Sequence, residues 1–118
     1  MFEEKRAHPR FKVRIPVEYR KLRESTALKK GSITEDISLG GTRFITEEFL
    51  AFTSRLMLDI DLPIPERSVN VLSKVSWIRK LAAEDYYEIG SQFLEMSKED
   101  KNRLSHYLDR LAGSDSSP

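Results

Sequence analysis

Residues 10–20 read RFKVRIPVEYR, and there Phe11, Val13, Ile15, Val17 and Tyr19 alternate with Lys12, Arg14, Pro16, Glu18 and Arg20. A period of two sends the apolar set to one face and the polar set to the other, the pattern of a half-buried strand. Pro16 falls on the polar face and has no N–H to give a ladder, so this strand is expected at a sheet edge or bulged at that point. Five further runs read as strands: GSITEDIS at 31–38, GTRFITE at 41–47, RLMLDIDLP at 55–63, where Leu56, Leu58, Ile60 and Leu62 again fall on alternate positions, VNVLSKVSWIRK at 69–80 and YYEIGSQFLEM at 86–96. The polar stretch 22–30, the 39–41 turn, the PIPER segment at 63–67 and the AAED turn at 82–85 punctuate them. Six strands with short connections predict a closed or nearly closed antiparallel barrel, because closure removes exposed edges.

Beyond residue 96 the period changes. Leu104, Tyr107, Leu108 and Leu111 recur at helical spacing, Ser97 offers an N-cap, Glu99 and Asp100 suit the first-turn dipole, and Gly113 is expected to stop the helix. The expected fold is therefore mainly β: a six-stranded antiparallel β-barrel with one C-terminal α-helix packed on it. The 118 residues divide into a flexible basic arm at 1–10, the barrel and helix at 11–112, and a frayed tail at 113–118.

Charge is unevenly spread behind a net value of +1. Residues 1–30 hold 10 Lys/Arg against 4 Asp/Glu, whereas the rest hold 10 against 15. A basic arm on an acidic body implies an anionic partner for the arm or an electrostatic clasp between the two. No apolar run is long enough to cross a bilayer, and MFEEKRAHPRF lacks the apolar core of a secretory signal, so a cytoplasmic protein without membrane insertion is expected.

Catalysis has little to build on. Cysteine is absent, which removes disulfides, thiolate metal sites and a thiol nucleophile. Only His8 and His106 are expected to titrate near neutrality, and neither has an obvious partner. There is no phosphate-binding glycine loop, metal-ligand spacing or nucleophile elbow. A binding protein without metal or cofactor is expected rather than an enzyme.

Two clusters remain. Arg6 and Arg10 stand four apart just before the first strand, with Pro9 stiffening the approach. Asp36, Ser38, Gly40 and Gly41 crowd one strand junction, where the plain reading is a side-chain-capped turn with glycines supplying positive φ. Taken together, Arg-x-x-x-Arg before strand one and Asp-x-Ser-x-x-Gly at the second-to-third junction of such a barrel resemble the PilZ family. The resemblance covers nearly the whole chain, rests on Arg6, Arg10, Asp36, Ser38 and Gly41, and extends to Gly90 on the last strand.

The resemblance implies a bacterial receptor for the second messenger cyclic di-GMP, acting in signal transduction through a downstream protein partner. The residue types fit such a ligand. An arginine fork donates paired hydrogen bonds to guanine O6 and N7, worth roughly 1–3 kcal/mol of discrimination, and also grips phosphate. Asp36 can accept from guanine N1 and N2 hydrogens, Ser38 can donate or accept, and Gly41 permits close approach. Gly40 is expected to serve the turn. Lys5, directly before the first motif, leans towards an intercalated ligand pair, and Arg43, just after the second, is expected to face either ligand or solvent. Trp77, alternating with Val75, is read as core rather than as a base-stacking platform. The alternatives are a ligand-independent PilZ-fold adaptor and a small nucleic-acid-binding barrel. The acidic body and the lack of interleaved aromatic and basic residues argue against the second.

Overall fold

The computed structural model describes residues 8–23, 28–63, 68–82 and 85–115. Within them lie β1 (Pro16–Lys21), β2 (Lys30–Ile37), β3 (Gly41–Thr46), β4 (Arg55–Ile60), β5 (Val69–Lys80), β6 (Tyr87–Met96) and α1 (Lys98–Asp115). Every neighbouring pair is antiparallel, and the order β1-β2-β3-β6-β5-β4 closes because β4 pairs back onto β1. The mainly β barrel with a C-terminal helix is thus the observed architecture.

The alternation in the sequence becomes the lining of the barrel. Val17 and Tyr19 of β1, Phe44 of β3, Leu56, Leu58 and Ile60 of β4, Val69, Val71 and Val75 of β5 and Ile89 of β6 are all buried. The helix adds Leu104, Tyr107 and Leu108 to the same core, and its start is capped by Ser97, whose Oγ accepts the Asp100 N–H at 3.0 Å. Across the interior, the ring of Tyr19 meets that of Phe44 at a centroid distance of 5.6 Å.

Three local expectations are corrected. First, β1 lies between β2 and β4 and is no edge; it begins at Pro16, whose carbonyl accepts the Asp61 N–H at 2.9 Å. A proline at the first ladder position forfeits no interior hydrogen bond. Residues 11–15 approach β2 through separate contacts instead: Phe11 and Ile37 exchange hydrogen bonds of 2.9 and 3.0 Å, and the Ile15 N–H donates to Thr34 Oγ1 at 3.0 Å. Second, α1 runs through Gly113 to Asp115, so the glycine does not end it.

Third, Trp77 is not in the core. The β5–β6 register passes from Val75 opposite Ser91 to Trp77 opposite Gly90, so one extra residue sits in β5. Such a bulge reverses the inward and outward sense of the residues beyond it. Ile78 packs on the core in place of Trp77, which is 40% exposed.

At the end of the barrel where β1 leads to β2 and β3 leads to β4, a polar cluster is half-buried. Glu48 accepts from the Tyr19 hydroxyl at 2.7 Å and from the Lys21 ammonium at 3.1 Å, and Lys30 lies 3.1 Å away. Burial and the Glu48 contact push the Tyr19 hydroxyl above its usual range. For Glu48 burial acts upward, but the hydrogen bonds from Tyr19, Lys21 and Lys30 outweigh it and hold the carboxyl below its usual value.

Candidate functional site

The turn joining β2 to β3 is closed by the Ser38 N–H donating to the Gly41 carbonyl at 2.9 Å, and Ser38 Oγ accepts the Gly40 N–H at 3.0 Å. The capped turn is therefore present, but neither glycine has positive φ. Their requirement is space. A Cβ on Gly41 would fall 2.2 Å from the Ser91 carbonyl oxygen of β6, and one on Gly40 would lie 3.2 Å from His8 Cδ2. The room that Gly41 leaves is taken by a neighbouring strand, not held open for close approach of a ligand.

One residue before Ile37, the chain turns Asp36 outward. β2 carries a bulge, since Thr34 faces Phe44 while Asp36 faces Arg43, and the extra residue puts Asp36 on the opposite face from buried Thr34. The Phe11–Ile37 bridge brings the preceding residue, Arg10, alongside. Arg10 Nη1 donates to Asp36 Oδ1 at 2.9 Å, and Arg43 Nη2 lies 3.1 Å from Asp36 Oδ2. Both carboxylate oxygens are thus occupied by guanidiniums.

The row continues across the barrel wall. Arg43 Nη1 donates to Glu88 Oε2 at 2.8 Å, and Arg79 Nε donates to Glu88 Oε1 at 3.1 Å, with its Nη2 on the same oxygen. Cross-strand register sets this up, with Asp36 opposite Arg43 and Arg79 opposite Glu88. The outcome is a line of alternating sign, Arg10, Asp36, Arg43, Glu88, Arg79. Its carboxylate side chains are 10% and 7% exposed, whereas Arg10 and Arg79 are 33% and 66% exposed, so cations face solvent above nearly covered anions. Beside the line, Trp77 lies across Gly90: a Cβ there would come within 2.2 Å of the indole. Glycine on β6 is the seat of that ring.

Of the residues singled out from sequence, Arg10, Asp36 and Arg43 come together, with Ser38, Gly40 and Gly41 in the adjoining turn. Arg43 settles between two carboxylates. Lys5 and Arg6, with most of the arm, lie outside the described residues. Pro9 and His8 line a 130 Å³ cavity with Phe11, Leu39 and, from α1, Leu108 and Ala112. His106 is exposed on the helix. Sequence reasoning missed Glu88 and Arg79 and misplaced Trp77. The signal for the pair was the hairpin itself, because a turn centred on 82–85 sets residue 79 opposite residue 88.

A surface of this kind offers planar N–H forks suited to phosphate oxygens or the O6/N7 edge of guanine, next to an aromatic face. Among the described residues, no group of three or more His, Asp or Glu is disposed to hold a metal ion, and no helix is long and apolar enough to cross a membrane.

The family model for the PilZ domain matches residues 4–110. No curated protein sequence matches the chain. Among solved structures, the Bacillus subtilis inhibitor of motility MotI/DgrA is similar with a TM-score of 0.74 at 19% identity, over 94% of this chain and 53% of that one. The K. pneumoniae MrkH complex with c-di-GMP gives 0.70 at 23%, over 95% and 54%. The PilZ domain of Escherichia coli YcgR with c-di-GMP gives 0.67 at 17%, over 95% and 98%. This chain spans about half the length of the first two, 53% and 54%, and at these identities the likeness is one of fold.

Proposed function

This chain belongs to the PilZ domain family, and on that premise we propose that it is a receptor for cyclic di-GMP, without catalysis of its own, that reports the ligand to a protein partner. The observation that carries the reading is the Arg10–Asp36 ion pair of 2.9 Å, which joins one residue of each motif. Two relatives of the same fold, MrkH and the YcgR domain, were solved with c-di-GMP. The proposed ligand residues are Arg6, Arg10, Asp36 and Ser38, with Gly41 and Gly40 shaping the turn and Lys5 and Arg43 flanking. Trp77 joins them, because the β5 bulge exposes its ring over Gly90, the residue that faces Arg43 in the ladder.

Binding requires Arg10 to leave Asp36, or to share it, so that the fork can reach ligand while Asp36 meets the guanine N1 and N2 hydrogens. In this reading residues 1–10 form a basic arm that closes over the ligand, and the closed arm is the signal a partner reads in the bacterial cytoplasm. A ligand shifts such an equilibrium only by its differential affinity for the closed state. Arg6 and Arg10 supply that difference. Calorimetric titration with cyclic di-GMP, with GTP and cyclic GMP as controls, is the direct test: saturable binding of the cyclic dinucleotide alone is expected. Its absence would leave a PilZ-fold adaptor that works without ligand.

A further inference from the structure

Glu88 has no part in the proposed recognition, yet it is buried between Arg43 of the proposed site and Arg79 beside it. We propose that it is an internal counter-ion, competing with ligand phosphate for Arg43 and Arg79 and so setting the affinity of the receptor. This role rests on the receptor reading and adds its regulation.

The geometry is specific. Glu88 Oε2 accepts from Arg43 Nη1 at 2.8 Å while Oε1 accepts from Arg79, so each oxygen holds one guanidinium. Arg43 is held only through its terminal nitrogens, by Asp36 and Glu88, because its buried Nε has no hydrogen-bond partner. Its head group is therefore oriented by the two carboxylates, and its charge is neutralised by them before any ligand arrives. An anion approaching Arg43 gains less than it would from a free guanidinium, and it also meets the negative charge of Glu88 close by. Two unit charges several ångströms apart near a protein surface repel or attract strongly enough at low salt to move a binding constant severalfold. Both the neutralisation and the repulsion oppose binding of a dianionic ligand.

Glu88→Gln separates charge from shape. Glutamine keeps a carbonyl oxygen to accept from one arginine, so positioning largely survives while the negative charge is removed. Calorimetry with cyclic di-GMP at low and high salt is the experiment, with thermal unfolding as the check on folding and Glu95→Gln as a charge-matched control on the same strand. The expected result is about threefold to tenfold tighter binding by Glu88→Gln at low salt, with the advantage shrinking as salt screens the site and Glu95→Gln behaving as wild type. If Glu88→Gln does not fold, Glu88→Thr, a good strand former, replaces it. Binding by wild type with equal or weaker binding by the folded variant overturns the counter-ion role and leaves the receptor reading standing. An equal gain in Glu95→Gln also overturns it, since net charge alone would then explain the effect. Binding by the variant but not by wild type supports it in its strongest form. If neither binds, the receptor reading fails and the counter-ion role fails with it.

Discussion

Arg10 and Asp36 are 26 residues apart in the chain and 2.9 Å apart in space. The contact is made by two backbone devices: the Phe11–Ile37 bridge, which aligns the approach to β1 with the end of β2, and the β2 bulge, which turns Asp36 outward. Each is one residue from a side chain of the pair. Arg10, before the first strand, and Asp36, near the end of the second, therefore meet where the backbone on either side of them is pinned.

Arg10→Ala separates ligand binding from folding. Asp36 keeps Arg43 when Arg10 is lost, and the pair is partly exposed, so thermal unfolding should change by about 0–1 kcal/mol in stability. Affinity for cyclic di-GMP should fall about tenfold or more, the worth of a charged hydrogen bond to ligand. Arg6→Ala should behave alike. Undiminished titrations by both variants would remove the proposed site.

Selectivity rests on Asp36. Cyclic di-AMP should bind far more weakly than cyclic di-GMP, because adenine does not present guanine's N1 and N2 donors. Asp36→Ala should narrow the gap by weakening the guanine ligand in particular. Proportional loss of both ligands would reduce Asp36 to an anchor for Arg10 and Arg43.

Gly41 and Gly90 should differ under the same substitution. In Gly41→Ala the new Cβ meets the Ser91 carbonyl at 2.2 Å, backbone held in a ladder, so a loss of roughly 1–3 kcal/mol or more is expected. In Gly90→Ala it meets the indole of Trp77 at the same 2.2 Å, and a half-exposed ring can swing aside at lower cost. Chemical denaturation ranks the two. Emission of Trp77, the only tryptophan, should shift red in Gly90→Ala and stay unchanged in Gly41→Ala.

Acid and alkali should each find the Tyr19–Glu48 cluster. The folded carboxyl of Glu48 is held below its ordinary value of 4.5, so its contribution is full above that pH and is lost as pH falls through the folded value. Tyr19 is shifted upward from 10.0, so its contribution is full below that pH and declines as pH rises beyond it. Stability against pH should therefore have a shallower acid limb in Glu48→Gln and a shallower alkaline limb in Tyr19→Phe. Parallel curves for wild type and variants would show that neither group is linked to folding.

Strand identity was legible because a barrel interior demands alternation, and the runs that became β1 and β4 supply it most plainly. What alternation does not reveal is a single inserted residue. Ser76 and Glu35 are the extra residues of the β5 and β2 bulges, and nothing in their identity marks them. One bulge moved Trp77 from expected core to surface, and the other turned Asp36 towards Arg10. Arg10 and Asp36 were legible as motif residues, while Arg79 and Glu88 belong to no motif. Their partnership depends on cross-strand register, and Arg43 completes it from a third strand.

The cavity shared by His8, Leu39 and Ala112 brings the stretch entering the barrel against the last turns of the helix leaving it. Entry and exit of the chain are side by side, the arrangement that lets a domain be spliced into a surface loop of a host protein without prising that loop open. Arg10 follows His8 by two residues, and Leu39 of the same cavity follows Ser38 in the turn. A host carrying this barrel as an insert would hold one end of its interrupted loop at His8, two residues before Arg10.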